Sequence, residues 1–320
     1  MENPVPLNII FMGTPEFAVP TLEALLSWEG CQVVAVVTAP DKPAGRGRQL
    51  QGSAVKAAAE AHGLPVLQPP NLKDAEFQAE LKGYGADLQV VVAFRMLPEA
   101  VWNMPPLGSI NIHASLLPQY RGAAPINWAL IHGDTRTGVT SFFLRHEIDT
   151  GNLIYQDAVA IAPEDDFGSL YEKLKAAGAK LALRSVQAIA AGGAPSIPQP
   201  ELPELRPAPK LTKETGRLDP VRHSAPALAN FVRGLSPIPT AFIQLPDGRT
   251  LKVFKAQPFS DEEASGPDLG GAGQWHTDGR RYLRLQTADG LLDLLDVQLE
   301  GKKRLPIQDF LRGFDVKLLN

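Results

Sequence analysis

The sequence predicts an α/β protein with a doubly wound, mostly parallel sheet, followed by a small all-β region. Apolar segments of strand length alternate with amphipathic helical segments through the first half of the chain. That alternation favours right-handed crossovers between parallel strands. After residue 235 the pattern changes to short strands separated by turn residues, which is typical of a separate antiparallel region.

Length and composition indicate a soluble protein of two domains. The chain has 320 residues, of which 44% are apolar and 21% charged. The longest apolar runs are too short to cross a bilayer, and the N-terminus carries no basic targeting segment. Cys31 is the only cysteine, which excludes an intrachain disulfide and a cysteine-based zinc site and is consistent with a reducing cytoplasm.

The first half predicts four strands with helices between them. The strands are expected at 7–12, 33–38, 66–67 and 86–94, and the helices at 15–27, 53–60 and 74–82. We predict Thr14 as the N-cap of the first helix, ahead of Pro15, and Ser53 as the N-cap of the second. The strand at 86–94 is the most apolar and is predicted to be central. Only one glycine follows the first strand, without the G-x-G-x-x-G pattern, which argues against a nicotinamide dehydrogenase.

A polar stretch follows these elements at residues 109–150. Alternation at 109–113 places Asn111 and His113 on one face of a strand. After a turn at Pro118, a helix at 126–132 and a strand at 138–144 lead to His146, Glu147 and Asp149. Amide, imidazole and carboxylate groups can stabilise an oxyanion and transfer a proton. The bland alternative is a structural Asn–His pair on a buried strand.

A proline-rich segment divides the chain into two parts of opposite charge. A strand at 154–161 and a helix at 168–191 precede it. Residues 194–209 contain six prolines, and we predict a semi-rigid linker between domains at 1–193 and 210–320. Residues 206–320 carry 17 Lys/Arg and 14 Asp/Glu, whereas residues 1–205 carry 14 and 21. The basic second part indicates an anionic partner.

The second part predicts a helix and five short strands, for which the OB-fold is one candidate. The helix is expected at 224–235, and the strands at 240–245, 251–256, 273–276, 282–286 and 291–298. Residues 246–248 predict a hairpin turn. The cluster Lys302, Lys303 and Arg304 is either a solvated turn or a phosphate contact.

A second basic segment lies in the first half, at residues 41–52. Lys42, Arg46 and Arg48 are interspersed with glycines, so this segment can fold around a polyanion. A solvated surface loop is the alternative.

The string from Asn111 to Pro125, NIHASLLPQYRGAAP, together with the later Asp149-Thr150-Gly151, resembles the signature of the folate-dependent formyltransferases. The form RGAAPINW is most similar to members that act on methionyl-tRNA. The resemblance covers both predicted domains and the linker. Gln49 and Pro220 depart from the family pattern, which often has lysine and usually has tryptophan at these positions.

The resemblance implies a Rossmann-like catalytic domain and an OB-like tRNA-binding domain. It implies transfer of the formyl group of 10-formyltetrahydrofolate to the amine of initiator methionyl-tRNA, for translation initiation. This chemistry requires no metal, and we expect a cytoplasmic monomer that binds no membrane. Asn111 and His113 would bind the oxyanion, and Asp149 would support the imidazolium. The remaining expected contacts are Ser115, Leu116, Leu117, Pro118, Phe94, Met96 and Leu97 for folate, and Lys42, Arg46 and Arg48 for tRNA, to which Lys302, Lys303 and Arg304 are added on charge. Within the tRNA set, Arg46 matches the arginine that such enzymes insert into the tRNA acceptor stem.

The site residues and the substrate each have an alternative interpretation. At least one of Phe94, Met96 and Leu97 is expected to be a core residue instead of a ligand contact. A formyltransferase for a sugar-nucleotide or purine-precursor amine would share the catalytic residues, but the basic segments favour tRNA. A nucleic-acid-binding protein that retains an inactive formyltransferase domain is the non-enzymatic alternative, and the intact triad argues against it.

Overall fold

In a computed structural model, residues 6–44, 49–259 and 271–319 are described and fall into two compact units. The first unit comprises residues up to 122, 137–160 and 171–207, and the second comprises 123–136, 161–170 and 208 onwards. Arg46 and Arg48 lie outside the described residues.

The first unit is built around a seven-stranded sheet. The strands of this unit are β1 Leu7–Gly13, β2 Cys31–Val37, β3 Lys42–Ala44, β4 Gln49–Gln51, β5 Val66–Leu67, β6 Leu88–Val92, β7 Ser109–His113, β8 Arg136–Phe143 and β9 Leu153–Ala160. The order in the large sheet is β5-β2-β1-β6-β7-β8-β9, so β6 is central as predicted. Pairing is parallel from β5 through β7 and antiparallel between β7 and β8. The predicted mostly parallel sheet is therefore confirmed.

Helices cover both faces of this sheet. The helices of the chain are α1 Val19–Leu26, α2 Ala54–Ala61, α3 Ala75–Gly83, α4 Glu99–Trp102, α5 Pro125–Ile131, α6 Phe167–Ala190, α7 Ala225–Leu235 and α8 Ile307–Leu311. Phe77 and Leu81 of α3 pack with Val91 in one buried cluster. Ile112 packs against α6, where a Cβ added to Gly178 would lie 3.4 Å from Ile112 Cγ2. Because successive side chains of a strand alternate between its faces, Asn111 and His113, the neighbours of Ile112, face away from α6.

The start of the first helix differs from the prediction. Pro15 has an extended backbone and precedes a 3-10 turn, Glu16–Ala18, in which no side chain caps the N-terminus. The α-helix begins only at Val19, with Pro20 in its first turn. Thr14 is therefore not the N-cap, because the α-helix starts five positions later. Pro20, and not Pro15, occupies the first turn, where the missing amide hydrogen costs no intrahelical bond. The second prediction is confirmed, since the Ser53 hydroxyl accepts a hydrogen bond from Lys56 N at 3.0 Å.

The second unit contains an antiparallel sheet packed against α7. Its strands are β10 Ala241–Gln244, β11 Thr250–Phe259, β12 Trp275–Thr277, β13 Leu283–Gln286, β14 Leu291–Leu299 and β15 Leu305–Pro306. Every recorded pair is antiparallel, in the order β10-β11-β14-β13-β12 with β15 on β14. The antiparallel β-sheet of the second region is thus confirmed, and the residues described there, 208–259 and 271–319, form one strand more than predicted.

A buried apolar cluster joins the elements of the second unit. Leu228, Val232 and Leu235 of α7 pack with Val253 and Leu294 from the sheet. The α7 N-terminus is capped by the Ser224 hydroxyl, which accepts a hydrogen bond from Ala227 N at 3.2 Å. Gly248 N donates to Leu245 O at 2.9 Å, which closes the predicted hairpin turn between β10 and β11.

Candidate functional site

Three loops leave the carboxyl ends of adjacent parallel strands at one edge of the first sheet. Gly13 of β1 pairs with Val92 of β6, and Val92 pairs with Ile112 of β7. The segments 14–18, 93–97 and 114–118 therefore begin side by side. In doubly wound sheets this edge is where ligands bind.

Asn111 and His113 lie on the face of β7 that is turned away from α6. Asn111 is partly exposed, and no hydrogen bond to its side chain is formed by any residue that the structure describes. His113 is 7% exposed. Both side chains are therefore held by a buried strand, while the Asn111 amide keeps its donors available.

The His113 ring is fixed through one of its nitrogens. Nε2 lies 2.8 Å from the carbonyl oxygen of Tyr120. Because a carbonyl oxygen only accepts, Nε2 carries the proton in the neutral ring. Nδ1 then faces Asp149, with Oδ2 at 3.8 Å. The arrangement leaves Nδ1 as the atom that can gain or lose a proton.

Asp149 lies in a turn and has a left-handed backbone conformation. Its φ is +53°, a left-handed conformation that aspartate tolerates better than most residues. Its Oδ2 accepts a hydrogen bond from Gly122 N at 3.0 Å. A Cβ at Gly151 would overlap the carbonyl oxygen of Phe143, so the turn requires glycine there. The fold thus brings His113 and Asp149 together, 36 positions apart in the sequence.

The segment predicted to contact folate forms a turn with few free polar groups. The Ser115 hydroxyl is buried and donates to Gln119 O at 2.6 Å. Leu117 packs with Phe142 and Leu153, and its amide donates to Thr140 Oγ1 at 3.1 Å. Pro118 is also buried, and Leu116 is partly exposed. Among these four predicted contacts, Leu116 offers the most accessible side chain.

The loop after β6 presents three different environments. Leu97 lies in the buried cluster of the sheet, and Phe94 is partly buried against it. Met96 is 70% exposed. At least one of the three is therefore a core residue, as expected, and Met96 is the side chain available to a ligand.

The basic segment at 41–52 contains a hairpin that the sequence did not predict. Lys42 pairs with Gln51, and Pro43 with Leu50. At its base, Asp41 accepts hydrogen bonds from Gln68 Nε2 at 2.7 Å and Lys56 Nζ at 2.6 Å. These hydrogen bonds lower the pKa of Asp41 below its ordinary value, and the bond from Gln68 has the larger effect. The Lys42 side chain is exposed.

The second basic cluster combines two exposed lysines with an engaged arginine. Lys302 and Lys303 are exposed. Arg304 Nη2 lies 2.6 Å from Asp296 Oδ2, and its guanidinium carbon lies 4.3 Å from the centre of the Phe254 ring. Arg304 therefore already has a carboxylate partner, whereas the two lysines present their charges to solvent.

Several residues at the site were not predicted. The sequence string included Tyr120 and Gly122 without assigning them a role, and each acts through a backbone atom. Gln199, in the proline-rich segment, donates from Nε2 to Asp149 O at 2.8 Å. Contacts through backbone atoms, and contacts between residues 50 positions apart, produce no periodic pattern in the sequence. The only sequence signal at Gln199 is therefore the pair of prolines that flank it, Pro198 and Pro200.

Neither a metal-binding cluster nor a membrane-spanning helix is found in the described part of the chain. Within 6–44, 49–259 and 271–319, no group of three or more His, Cys, Asp or Glu side chains is arranged to hold a metal ion. Over the same residues, no helix has the length and apolar character needed to cross a membrane.

The fold and the edge site define a class of protein, and comparison with known families agrees. Residues 7–186 match the family described as Formyl transferase, and residues 210–315 match its C-terminal domain. The chain therefore belongs to the formyl transferase family. It is 51% identical over 318 residues to the methionyl-tRNA formyltransferase of Bacteroides fragilis, covering 96% of this chain and 95% of the relative.

Solved structures show the same fold at lower identity. An N-formyltransferase from Helicobacter canadensis, in complex with folinic acid and dTDP-3-aminofucose, has a TM-score of 0.64 at 18% identity, covering 93% of this chain and all of that one. HypX from Aquifex aeolicus, in complex with tetrahydrofolic acid, has a TM-score of 0.61 at 20% identity, covering 97% of this chain. The chain spans 48% of the HypX chain, about half its length.

Proposed function

We propose that this protein transfers a formyl group from 10-formyltetrahydrofolate to the α-amine of initiator methionyl-tRNA, for translation initiation. The observation that supports this proposal is the 51% identity with a methionyl-tRNA formyltransferase, which extends over 96% of the chain and so includes both family regions. We also propose that it acts in the cytoplasm as a monomer.

Asn111 supplies the first group that the reaction needs. Attack of an amine on a formyl carbon places negative charge on the formyl oxygen. The Asn111 amide has two donor hydrogens, and its partly exposed position at the carboxyl edge of the sheet suits a donor to this oxygen. Because β7 fixes the backbone beneath it, the donor is oriented before the substrate arrives.

His113, supported by Asp149, transfers a proton from the attacking amine to the departing nitrogen. The attacking amine loses a proton as the new C–N bond forms, and the departing nitrogen gains one as the old C–N bond breaks. Nδ1 of His113 is the ring atom free to take and return that proton, since Nε2 is bonded to Tyr120 O. Once protonated, Nδ1 is a charged donor for the oxyanion, and the Asp149 carboxylate 3.8 Å away stabilises that charge.

The folate donor supplies the activated formyl group, and the edge loops have the chemistry to hold it. Exposed Met96, partly buried Phe94 and partly exposed Leu116 offer apolar contacts to a flat heterocycle. We assign these three as the side chains that would touch the folate. The buried residues would not touch the folate but would stabilise the conformation of the two loops; they are Ser115, Leu117, Pro118 and Leu97.

The tRNA contacts are proposed on charge. Lys42, Arg46 and Arg48 belong to the basic segment of the first half, and Lys302 and Lys303 are exposed in the second unit. Arg46 would enter the acceptor stem. Arg304 would contribute less to phosphate binding, because Asp296 already neutralises its charge.

The proposal is tested by comparing amine acceptors. The purified protein is supplied with 10-formyltetrahydrofolate and with methionyl initiator tRNA, free methionine or an amino-sugar nucleotide in parallel, and the formylated product is measured. We expect formylation of methionyl-tRNA at a far higher kcat/KM than of the other amines. Preference for the amino-sugar nucleotide would replace this function with the sugar-directed one.

A further inference from the structure

Gln199 lies in the proline-rich segment 194–209 and has a proline directly on each side. Pro198 and Pro200 restrict the backbone on either side of it. The same segment is tied to the first unit by the backbone bridge between Leu153 and Ile197. The Gln199 side chain is therefore presented from a constrained backbone and is partly buried.

The Gln199 side-chain amide forms hydrogen bonds through both its oxygen and its nitrogen. Oε1 accepts from Arg121 Nε at 3.2 Å and from Arg121 Nη2 at 2.5 Å. Nε2 donates to Asp149 O at 2.8 Å and to Gly151 O at 3.0 Å. A glutamine amide has one acceptor oxygen and two donor hydrogens, and this arrangement employs each of them. A glutamate could satisfy Arg121 but not the two carbonyl oxygens.

These bonds hold the residue that faces His113. The stretch before Asp149, residues 145–148, is exposed, so little packing fixes the turn from that side. The Gly122 amide holds the Asp149 carboxylate, and Gln199 holds the Asp149 carbonyl. Gln199 also ties Arg121, the neighbour of Gly122, to the same turn. One side chain thus connects both segments that place Asp149 beside His113.

We propose that Gln199 is a positioning residue for formyl transfer, acting through Asp149 and Arg121. The inference rests on the proposed roles of His113 and Asp149. A site held loosely loses rate because reacting groups must lie within a few tenths of an ångström of their productive positions. The proline-rich segment is then part of the active site and more than a connection between domains.

The test compares Gln199→Ala and Gln199→Glu with Gln119→Ala. Gln119 is a matched control, because it is also a glutamine that holds this segment, through Glu204 O at 2.9 Å and Arg206 N at 2.8 Å, without touching Asp149 or Gly151. Both Gln199 variants are expected to lose about 10- to 100-fold in kcat with little change in either KM. Gln119→Ala is expected to keep nearly the wild-type kcat.

A double-variant cycle separates positioning from general stability. If Gln199 acts through Asp149, Gln199→Glu combined with Asp149→Asn should cost less than the product of the two single losses. Unchanged kcat in Gln199→Glu, equal losses in Gln119→Ala, or fully multiplicative losses would each overturn the proposal. Circular dichroism melting of every variant accompanies the kinetics, and the isosteric Gln199→Glu carries the test if Gln199→Ala does not fold.

The two proposals fail in different ways. The acceptor that the wild-type protein prefers tests the proposed function. The ratio of variant to wild-type kcat, measured with that preferred acceptor, tests Gln199. A sugar-nucleotide preference with a strong Gln199 effect would thus replace the substrate and keep the positioning role.

Discussion

At the scale of single residues, the reaction depends on donors aimed at one oxygen. We predict that Asn111→Ala and His113→Ala each lower kcat by about 100- to 1000-fold, the usual cost of losing one oxyanion donor. Binding of folate and tRNA should change little, because neither residue is proposed to hold the ground state. The measurements are single-turnover formylation rates and ligand titrations. Wild-type rates in both variants would remove these residues from the mechanism.

Asp149 should act only through the imidazole ring. Its Oδ2 lies 3.8 Å from His113 Nδ1 and accepts a hydrogen bond from Gly122 N. We predict that Asp149→Asn is nearly as damaging as His113→Ala, and that the double variant is no worse than His113→Ala alone. Comparing kcat of the three variants checks this. Multiplicative losses would show that Asp149 works independently of the ring.

At the scale of elements, the β3–β4 hairpin is anchored at its base by a carboxylate. Gln68 and Lys56 lower the pKa of Asp41 in the folded protein. A lowered folded-state pKa means that the ionised form stabilises the fold. This contribution is complete above the unfolded-state value of about 3.9 and is lost as pH falls through the lower folded-state value.

The consequence is a pH-dependent difference between wild type and Asp41→Asn. We predict that wild type melts at the higher temperature between pH 8 and pH 5, and that the gap narrows as pH falls below about 4. Thermal melts over this range measure the gap. Melting curves that stay equally separated down to pH 3 would show that the Asp41 charge does not stabilise the hairpin.

At the scale of the whole molecule, tRNA binding should be electrostatic. We predict that tRNA affinity falls steeply with salt, and that Lys303→Ala lowers the slope of log affinity against log salt by about 1. Lys317, exposed on the same unit and outside the cluster, provides the control Lys317→Ala. Arg46→Ala should lower kcat as well as affinity, because the methionyl amine is then poorly placed. Equal slopes for Lys303→Ala and wild type would exclude a phosphate contact at Lys303.

Local patterns in the sequence were sufficient for much of the fold. The apolar stretch at 86–94 and the alternation at 109–113 became neighbouring strands, and Ser53 became a helix cap. These features depend on residues within a few positions of each other, so period and capping chemistry reveal them. The same alternation is sufficient to place Asn111 and His113 on one face of their strand.

The tertiary structure alone decided what surrounds those two side chains. The antiparallel placement of β8 and the attachment of Asp149 to Gln199 join segments far apart in the chain. The turn after β7 also brings the Tyr120 carbonyl beside His113, a contact that follows no helical or strand period. Such contacts depend on how separate elements pack, and neither propensity nor periodicity encodes the partner of a given hydrogen bond. The sequence therefore specified the reactive groups, whereas packing determined which atoms of those groups remain free to react.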